Sequence, residues 1–62
     1  MVEAIAIVWG KPYPVTVYQD PNRKSVWLAV GDYMGERVET KGRTESAARR
    51  QWVIRATSMG NP

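Results

Sequence analysis

Residues 25–57, SVWLAVGDYMGERVETKGRTESAARRQWVIRAT, decide how this 62-residue chain folds. The apolar segment over residues 25–30 predicts a strand, a turn bounded by glycines follows, and residues 36–41 predict a more polar strand. The rest of the stretch has the composition of one amphipathic helix. We predict no other helix in the chain, so every strand must pack against this one.

The predicted helix has recognisable ends. Thr44 is a suitable N-cap residue, and Glu45 places a negative charge in the first turn, where the helix dipole favours it. The helix should run to about Thr57 and end near Gly60. At about 100° per residue, one stripe of side chains can face the sheet, and Ile54 lies off that stripe. The stripe consists of Ala48, Trp52 and Ala56.

The N-terminal residues predict a first strand. Residues 2–9, VEAIAIVW, are rich in β-branched side chains and contain no breaker, and their alternation places Ile5, Ile7 and Trp9 on one face. Residues 10–14, GKPYP, then interrupt the pattern, because proline cannot donate a hydrogen bond to a strand ladder. We therefore predict a bend, a bulge or the rim of an edge strand there.

The remaining segments complete the fold prediction. Residues 15–19, VTVYQ, predict a second strand, and residues 20–24, DPNRK, have turn chemistry. The chain should therefore form a single α+β domain over residues 1–62, with a small antiparallel sheet of three to four strands packed on one C-terminal helix. Residues 58–62 are expected to be frayed.

The strand over residues 25–30 is apolar on both faces. Side-chain bulk favours Val26, Leu28 and Val30 as the face that the helix covers, whereas the Trp-x-Ala motif of the families that this stretch resembles, named below, implies that Ala29 faces the helix. The sequence leaves both orientations open. Something must cover each face, and the second cover is a partner chain or a ligand.

Composition excludes several classes of function. The chain has no cysteine and no histidine, which removes disulfides, the usual zinc sites, the commonest general base and the strongest nucleophile. We predict no enzyme activity, no catalytic residues, no metal and no cofactor. No apolar run reaches the roughly 20 residues that a membrane span requires, so we expect a cytoplasmic protein without membrane contact. A domain this small buries only about 60% of its unfolded surface, which favours a homodimer.

The net charge of +3 is unevenly distributed. Positive and negative side chains cancel up to Tyr33, so the whole surplus lies on the last strand and the helix. Such a local basic surface is what a nucleic-acid partner requires, although a solvated cationic face would look the same. The positive residues after Tyr33 are Arg37, Lys41, Arg43, Arg49, Arg50 and Arg55.

Small, aromatic and capping residues occur in a suggestive order over residues 25–56. They are Trp27, Ala29, Gly35, Gly42, Thr44, Glu45, Ala47 and Ala48. In order and approximate spacing they resemble the ethylene-response-factor type of DNA-binding domain and, more loosely, the arm-binding domains of tyrosine recombinases. That resemblance implies a three-stranded sheet that lies in the major groove. The family's arginine-rich first strand has no counterpart here, because residues 15–19 are neutral.

The same stretch also resembles HicB-type antitoxins. The matching features are strands over residues 15–20 and 26–30, Gly35, and the segment 42–47, GRTESA, which opens the helix. That resemblance implies a module that binds a partner protein and oligomerises. The topology is similar to a double-stranded-RNA-binding domain as well, but that family places lysines where this chain has Glu45.

Two functions of different classes follow. The first is a non-enzymatic module that docks its sheet on duplex DNA, with Arg37 as the candidate to reach a base edge. The alternative is a protein-interaction or oligomerisation module, for which a contiguous apolar patch would be diagnostic. The predicted nucleic-acid-binding residues are Arg23, Lys24, Trp27, Arg37, Lys41 and Arg43, and the predicted protein-interface residues are Trp27, Val53 and Ile54.

Overall fold

The structure, a computed structural model, describes residues 2–61 and confirms the α+β class. Four strands form one antiparallel sheet in the order β1-β2-β3-β4, and a single helix packs across one face. Strands β1 and β4 are therefore the two edges of the sheet. The elements are β1 (Val2–Val8), β2 (Lys11–Gln19), β3 (Trp27–Tyr33), β4 (Glu36–Gly42) and α1 (Glu45–Met59).

Two tight hairpins connect the strands at one end of the sheet. The turn residues Trp9 and Gly10 have φ angles of 53° and 75°, and Met34 and Gly35 have φ angles of 54° and 79°. Two-residue turns with both φ values positive match the right-handed twist of paired strands. The turn predicted after residues 25–30 is thus shorter than expected, and β3 continues as far as Tyr33.

The bend or bulge predicted for residues 10–14 is wrong beyond Gly10, whereas the alternative of an edge fits, because residues 11–14 pair with β1 and have no ladder partner on β3. Strand β2 begins at Lys11, and Pro12 and Pro14 lie within it, opposite Ile7 and Ile5 of β1. The two residues that flank a two-residue turn form a hydrogen-bonded pair, and hydrogen-bonded and non-hydrogen-bonded pairs then alternate along the ladder. Pro12 and Pro14 belong to non-hydrogen-bonded pairs. The nitrogen atoms of both prolines therefore point away from β1, where no donor is needed.

The two prolines affect the other side of β2 instead. The ladder between β2 and β3 covers only four pairs, from Thr16↔Val30 to Gln19↔Trp27. Extending it would require an N–H donor at Pro14, which proline lacks. The ladder between β2 and β3 consequently ends at Thr16↔Val30.

The core lies between the sheet and one stripe of α1. The predicted stripe is confirmed, because Ala48, Trp52 and Ala56 are the buried residues of the helix. Trp52 is fully buried, and its indole N–H donates to the Val38 carbonyl at 3.1 Å. The sheet residues in the same core cluster are Ala6, Val8, Val15, Val17, Ala29, Tyr33 and Val38.

The structure resolves which face of β3 the helix covers. Ala29 is fully buried in the core, whereas Leu28 pairs between Tyr18 and Lys41 and points to the opposite face. The aliphatic side chains of Leu28 and Val30 therefore face away from the helix, and Trp27, Ala29 and Tyr33 lie on its side. Packing is tight on the helix side of β3, because a Cβ atom at Gly31 would lie 2.8 Å from the Pro14 carbonyl oxygen and 3.1 Å from the Trp52 ring.

The helix ends as predicted. The Thr44 hydroxyl accepts a hydrogen bond from the Ala47 amide at 3.0 Å, and Gly60, with φ of 112°, caps the C-terminus. The expected frayed segment, residues 58–62, begins inside the helix, since α1 continues through Met59. Pro62 lies outside the described residues.

A hydrogen bond and an aromatic cluster hold the C-terminal end of the helix on the sheet. The Tyr33 hydroxyl donates to the Gly60 carbonyl at 2.6 Å, and the Tyr33 ring lies edge-on to Tyr13, with ring centres 4.9 Å apart. Burial raises the pKa of the Tyr33 hydroxyl above its ordinary value, and the neighbouring Tyr13 raises it further.

Candidate protein-interaction surface

The face of the sheet opposite α1, called the open face here, carries charges of both signs. The register places Arg37 and Lys41 of β4 on it. It also carries three acidic residues, Glu3, Asp32 and Glu39, so its charged side chains on the strands sum to a slight negative excess. Arg37 lies 3.7 Å from the Glu39 carboxylate. Such a face offers no concentrated positive potential for a phosphate backbone.

The exposed apolar side chains concentrate at the β1–β2 hairpin. Ile5 is 55% exposed and Ile7 is 57% exposed, and both point to the open face next to Pro14 and Pro12. Trp9, in the turn, is 49% exposed. We call these five residues the apolar patch. Of the six exposed large hydrophobic residues in the described part of the chain, four belong to β1 or its turn. The six are Val2, Ile5, Ile7, Trp9, Met34 and Ile54.

The two edges of the sheet differ in chemistry. On β4, the residues whose backbone groups point outward are Arg37, Glu39 and Lys41, and their charges discourage pairing with another strand. On β1, the outward backbone groups belong to Glu3, Ile5 and Ile7, so two of the three side chains are apolar. The β1 edge is therefore the edge that is open to an added strand.

A groove runs between the β1 edge and the helix. Its sheet side is formed by residues 5–7, and its helix side by Ser46, Arg49, Arg50 and Val53. The Arg49 guanidinium donates to the Ile5 carbonyl at 3.5 Å, at the limit of hydrogen-bond distance and in an exposed position. No acidic side chain lines this groove within residues 2–61.

The predicted nucleic-acid-binding residues separate into two groups. Arg23 and Lys24 lie in the exposed β2–β3 connection, and Lys41 and Arg43 lie at the same end of the sheet, because Trp27 pairs with Gly42. Arg37 lies towards the other end of β4, opposite Asp32. Trp27 itself is half-buried on the helix side, packed against the core, and does not share the open face with Arg37.

The predicted protein-interface residues do not form one surface either. Val53 packs against the core and lines the groove beside β1. Ile54 is 54% exposed and lies on the β4 side of the helix, near Thr40 and Arg55. Trp27 lies at the helix N-terminal end of the sheet.

Sequence reasoning missed the apolar patch as a site. The alternation of Ala4, Ala6 and Val8 with Ile5 and Ile7 is visible in the sequence, and it identified the two faces of β1. The sequence does not determine which face of β1 the helix covers. Once β3 shows that small residues face Trp52, the same rule assigns Ala6 to the core and the isoleucines to the surface.

Other kinds of site find no support in the described residues. Within residues 2–61 no group of three or more His, Cys, Asp or Glu side chains is placed to hold a metal ion. The helix α1 is neither long nor apolar enough to cross a membrane.

Comparison with protein-family models, with curated proteins and with solved structures finds no match to this chain.

Proposed function

We propose that this chain is a non-enzymatic protein-interaction module whose partner binds over the apolar patch. The observation that carries the proposal is the exposure of Ile5 and Ile7, at 55% and 57%, on a sheet face that the helix leaves uncovered. Exposed apolar surface that is contiguous and rimmed by polar residues is typical of protein-binding sites. Here Glu3 and Thr16, joined by a 3.1 Å hydrogen bond, border the patch.

The energetics favour a partner there. Fully burying an isoleucine side chain contributes about 1.5–3 kcal/mol, so covering Ile5 and Ile7 together offers a few kcal/mol of binding free energy. Trp9 supplies an aromatic anchor of the kind that dominates interface energetics.

Site-specific photocrosslinking tests this proposal with a matched control. A photoreactive phenylalanine analogue is placed at Trp9 or at Met34, which occupy equivalent turn positions and are 49% and 51% exposed. In cells that naturally express the chain, we expect a discrete adduct from position 9, little from position 34, and loss of the adduct with Ile7→Lys. Equal crosslinking at both positions would contradict the proposal.

A second candidate function is nucleic-acid binding at the opposite end of the sheet. Four positive side chains, Arg23, Lys24, Lys41 and Arg43, lie at this end, with Asp20 in the same connection and Glu45 in the first turn of α1 as acidic neighbours. That cluster differs from the sheet-docking prediction, which relied on Arg37. Fluorescence anisotropy with random duplex DNA at low and physiological salt distinguishes binding by this cluster from binding by the sheet surface around Arg37.

In that assay, binding by the cluster predicts that Lys24→Ala with Arg43→Ala weakens DNA binding, while Arg37→Ala leaves it unchanged. It also predicts a steep loss of affinity with salt, because phosphate contacts release counterions. Absence of binding at low salt would remove this candidate and leave the protein-interaction proposal intact.

A further inference from the structure

We infer that the β1 edge accepts an additional strand from a partner protein, and that this strand is an extended segment in which acidic and apolar residues alternate. The inference rests on the proposed function and specifies its partner. It combines three features that meet at one place: the free edge of β1, the apolar patch on one side of that edge, and the groove with two arginines on the other.

The backbone of β1 supplies the first part of the recognition. The N–H and C=O groups of Glu3, Ile5 and Ile7 point outward, since the intervening residues use theirs to pair with β2. An extended peptide laid along β1 can form main-chain hydrogen bonds with these groups, as in other cases of strand addition. The weak Arg49 contact with the Ile5 carbonyl is the interaction that the new strand replaces.

The side chains of the added strand alternate between two different environments. Those on the open face extend the row formed by Ile5 and Ile7, so they should be apolar and β-branched. Those on the helix side enter the groove beside Val53, Arg49 and Arg50. Both guanidinium groups are exposed at this position, and a carboxylate there would gain charge-assisted hydrogen bonds.

A second copy of this chain fits the edge less well. Pairing β1 with β1 about a two-fold axis preserves the faces, so the partner's Glu3 would lie on the open face, away from the arginines. The helix-side residues of β1 are Val2, Ala4, Ala6 and Val8, none of which offers a carboxylate. The same pairing would bring two copies of Arg49 towards each other, and like charges at an interface are unfavourable.

The test is a selection from a random library of displayed extended peptides against the immobilised full chain. We expect the enriched sequences to alternate apolar and acidic residues. The affinity of a synthetic peptide from that selection should fall about tenfold or more with Arg49→Glu and Arg50→Glu combined, corresponding to a lost charge-assisted bond. Arg55→Glu, on the other side of the helix, is the charge-matched control and should have little effect.

A proline scan tests the strand geometry. Ile5→Pro removes an outward N–H without breaking the β1–β2 ladder, and should abolish peptide binding. Glu39→Pro removes an equivalent outward N–H from β4 and should not. Circular dichroism confirms that both variants are folded.

Each other outcome overturns the inference. Enriched peptides without acidic residues, no enrichment at all, or binding that survives Ile5→Pro would refute strand addition by an acidic segment. A dimer that Ile5→Pro converts to a monomer would identify a second copy as the occupant and leave the proposed function standing. Equal crosslinking at positions 9 and 34 would refute the proposed function itself, whatever the peptides do.

Discussion

Two adjacent residues of β1 provide a direct test of how the strand is oriented. Val8 is fully buried against the helix, whereas its neighbour Ile7 is 57% exposed on the open face. Threonine is β-branched like both residues, so Val8→Thr and Ile7→Thr keep the strand propensity while each places a hydroxyl on one face. The two variants should therefore differ in stability by an amount that depends on the face alone.

The expected costs can be worked out from burial. Threonine has nearly the shape of valine, so Val8→Thr mainly buries a hydroxyl without a partner, which costs about 1–3 kcal/mol. At position 7, more than half of the side chain is already in solvent. Fully burying isoleucine is worth about 1.5–3 kcal/mol, and threonine retains part of the buried fraction, so Ile7→Thr should cost roughly 0.5 kcal/mol.

Thermal and urea denaturation of the two variants measure this difference. In a domain of this size 1 kcal/mol shifts Tm by about 4–8 °C, so Val8→Thr should lower Tm by roughly 4–24 °C and Ile7→Thr by only about 2–4 °C. Ile7→Thr should in addition reduce crosslinking from position 9. Equal destabilisation, or a larger loss with Ile7→Thr, would refute both the orientation of β1 and the apolar patch.

Three further predictions concern the attachment of the helix. A Cβ atom at Gly42 would lie 2.7 Å from the Ala47 carbonyl carbon, so Gly42→Ala should lower the urea-derived stability by about 1–3 kcal/mol. Thr44→Ala removes the N-cap and should cost about 1 kcal/mol in the same assay, with Thr44→Ser restoring most of it. The pKa of Tyr33 is raised in the folded state, so the stability that its protonated hydroxyl contributes is complete below about pH 10 and is lost as the pH rises further. Unfolding midpoints at about pH 8 and about pH 11 should therefore differ less for Tyr33→Phe than for the unsubstituted chain. Unchanged stability of Gly42→Ala or Thr44→Ala would contradict the prediction for that variant. A Tyr33→Phe variant that loses as much stability at high pH as the unsubstituted chain would contradict the third prediction.

Periodicity and capping chemistry were sufficient to predict the elements. Thr44 and Gly60 marked the ends of the helix, and the spacing of Ala48, Trp52 and Ala56 identified its buried stripe. These features depend on residues within about two helical turns of each other, so they can be predicted from a single sequence.

The orientation of the strands could not be predicted in this way. Bulk favoured Leu28 for the core, but the space between sheet and helix is shared, and Trp52 occupies much of it. A Cβ atom at Gly31 would lie 3.1 Å from the indole, and Ala29 is buried in the same core cluster as Trp52. Packing of this kind depends on residues that are distant in sequence, so the volume of one strand's side chains does not decide its orientation.

The prolines of β2 show a similar dependence on context. Pro12 and Pro14 suggested an interruption, because proline breaks ladders on average. Their actual effect depends on the direction of the missing N–H, and the two-residue turn at Trp9 directs it away from β1. The register of a hairpin is therefore needed before a proline in a strand can be interpreted.

The positive charge and the apolar first strand were separate observations in the sequence, and the fold places part of each at the same groove. Arg49 and Arg50 belong to the basic surplus that first suggested nucleic acid, yet they lie beside the uncharged residues 5–7 of the β1 edge. A nucleic-acid surface would not require main-chain donors and exposed isoleucines next to its cations. An acidic, extended peptide would use the arginines, the main-chain groups and the isoleucines together. This juxtaposition therefore favours strand addition over phosphate binding at this groove.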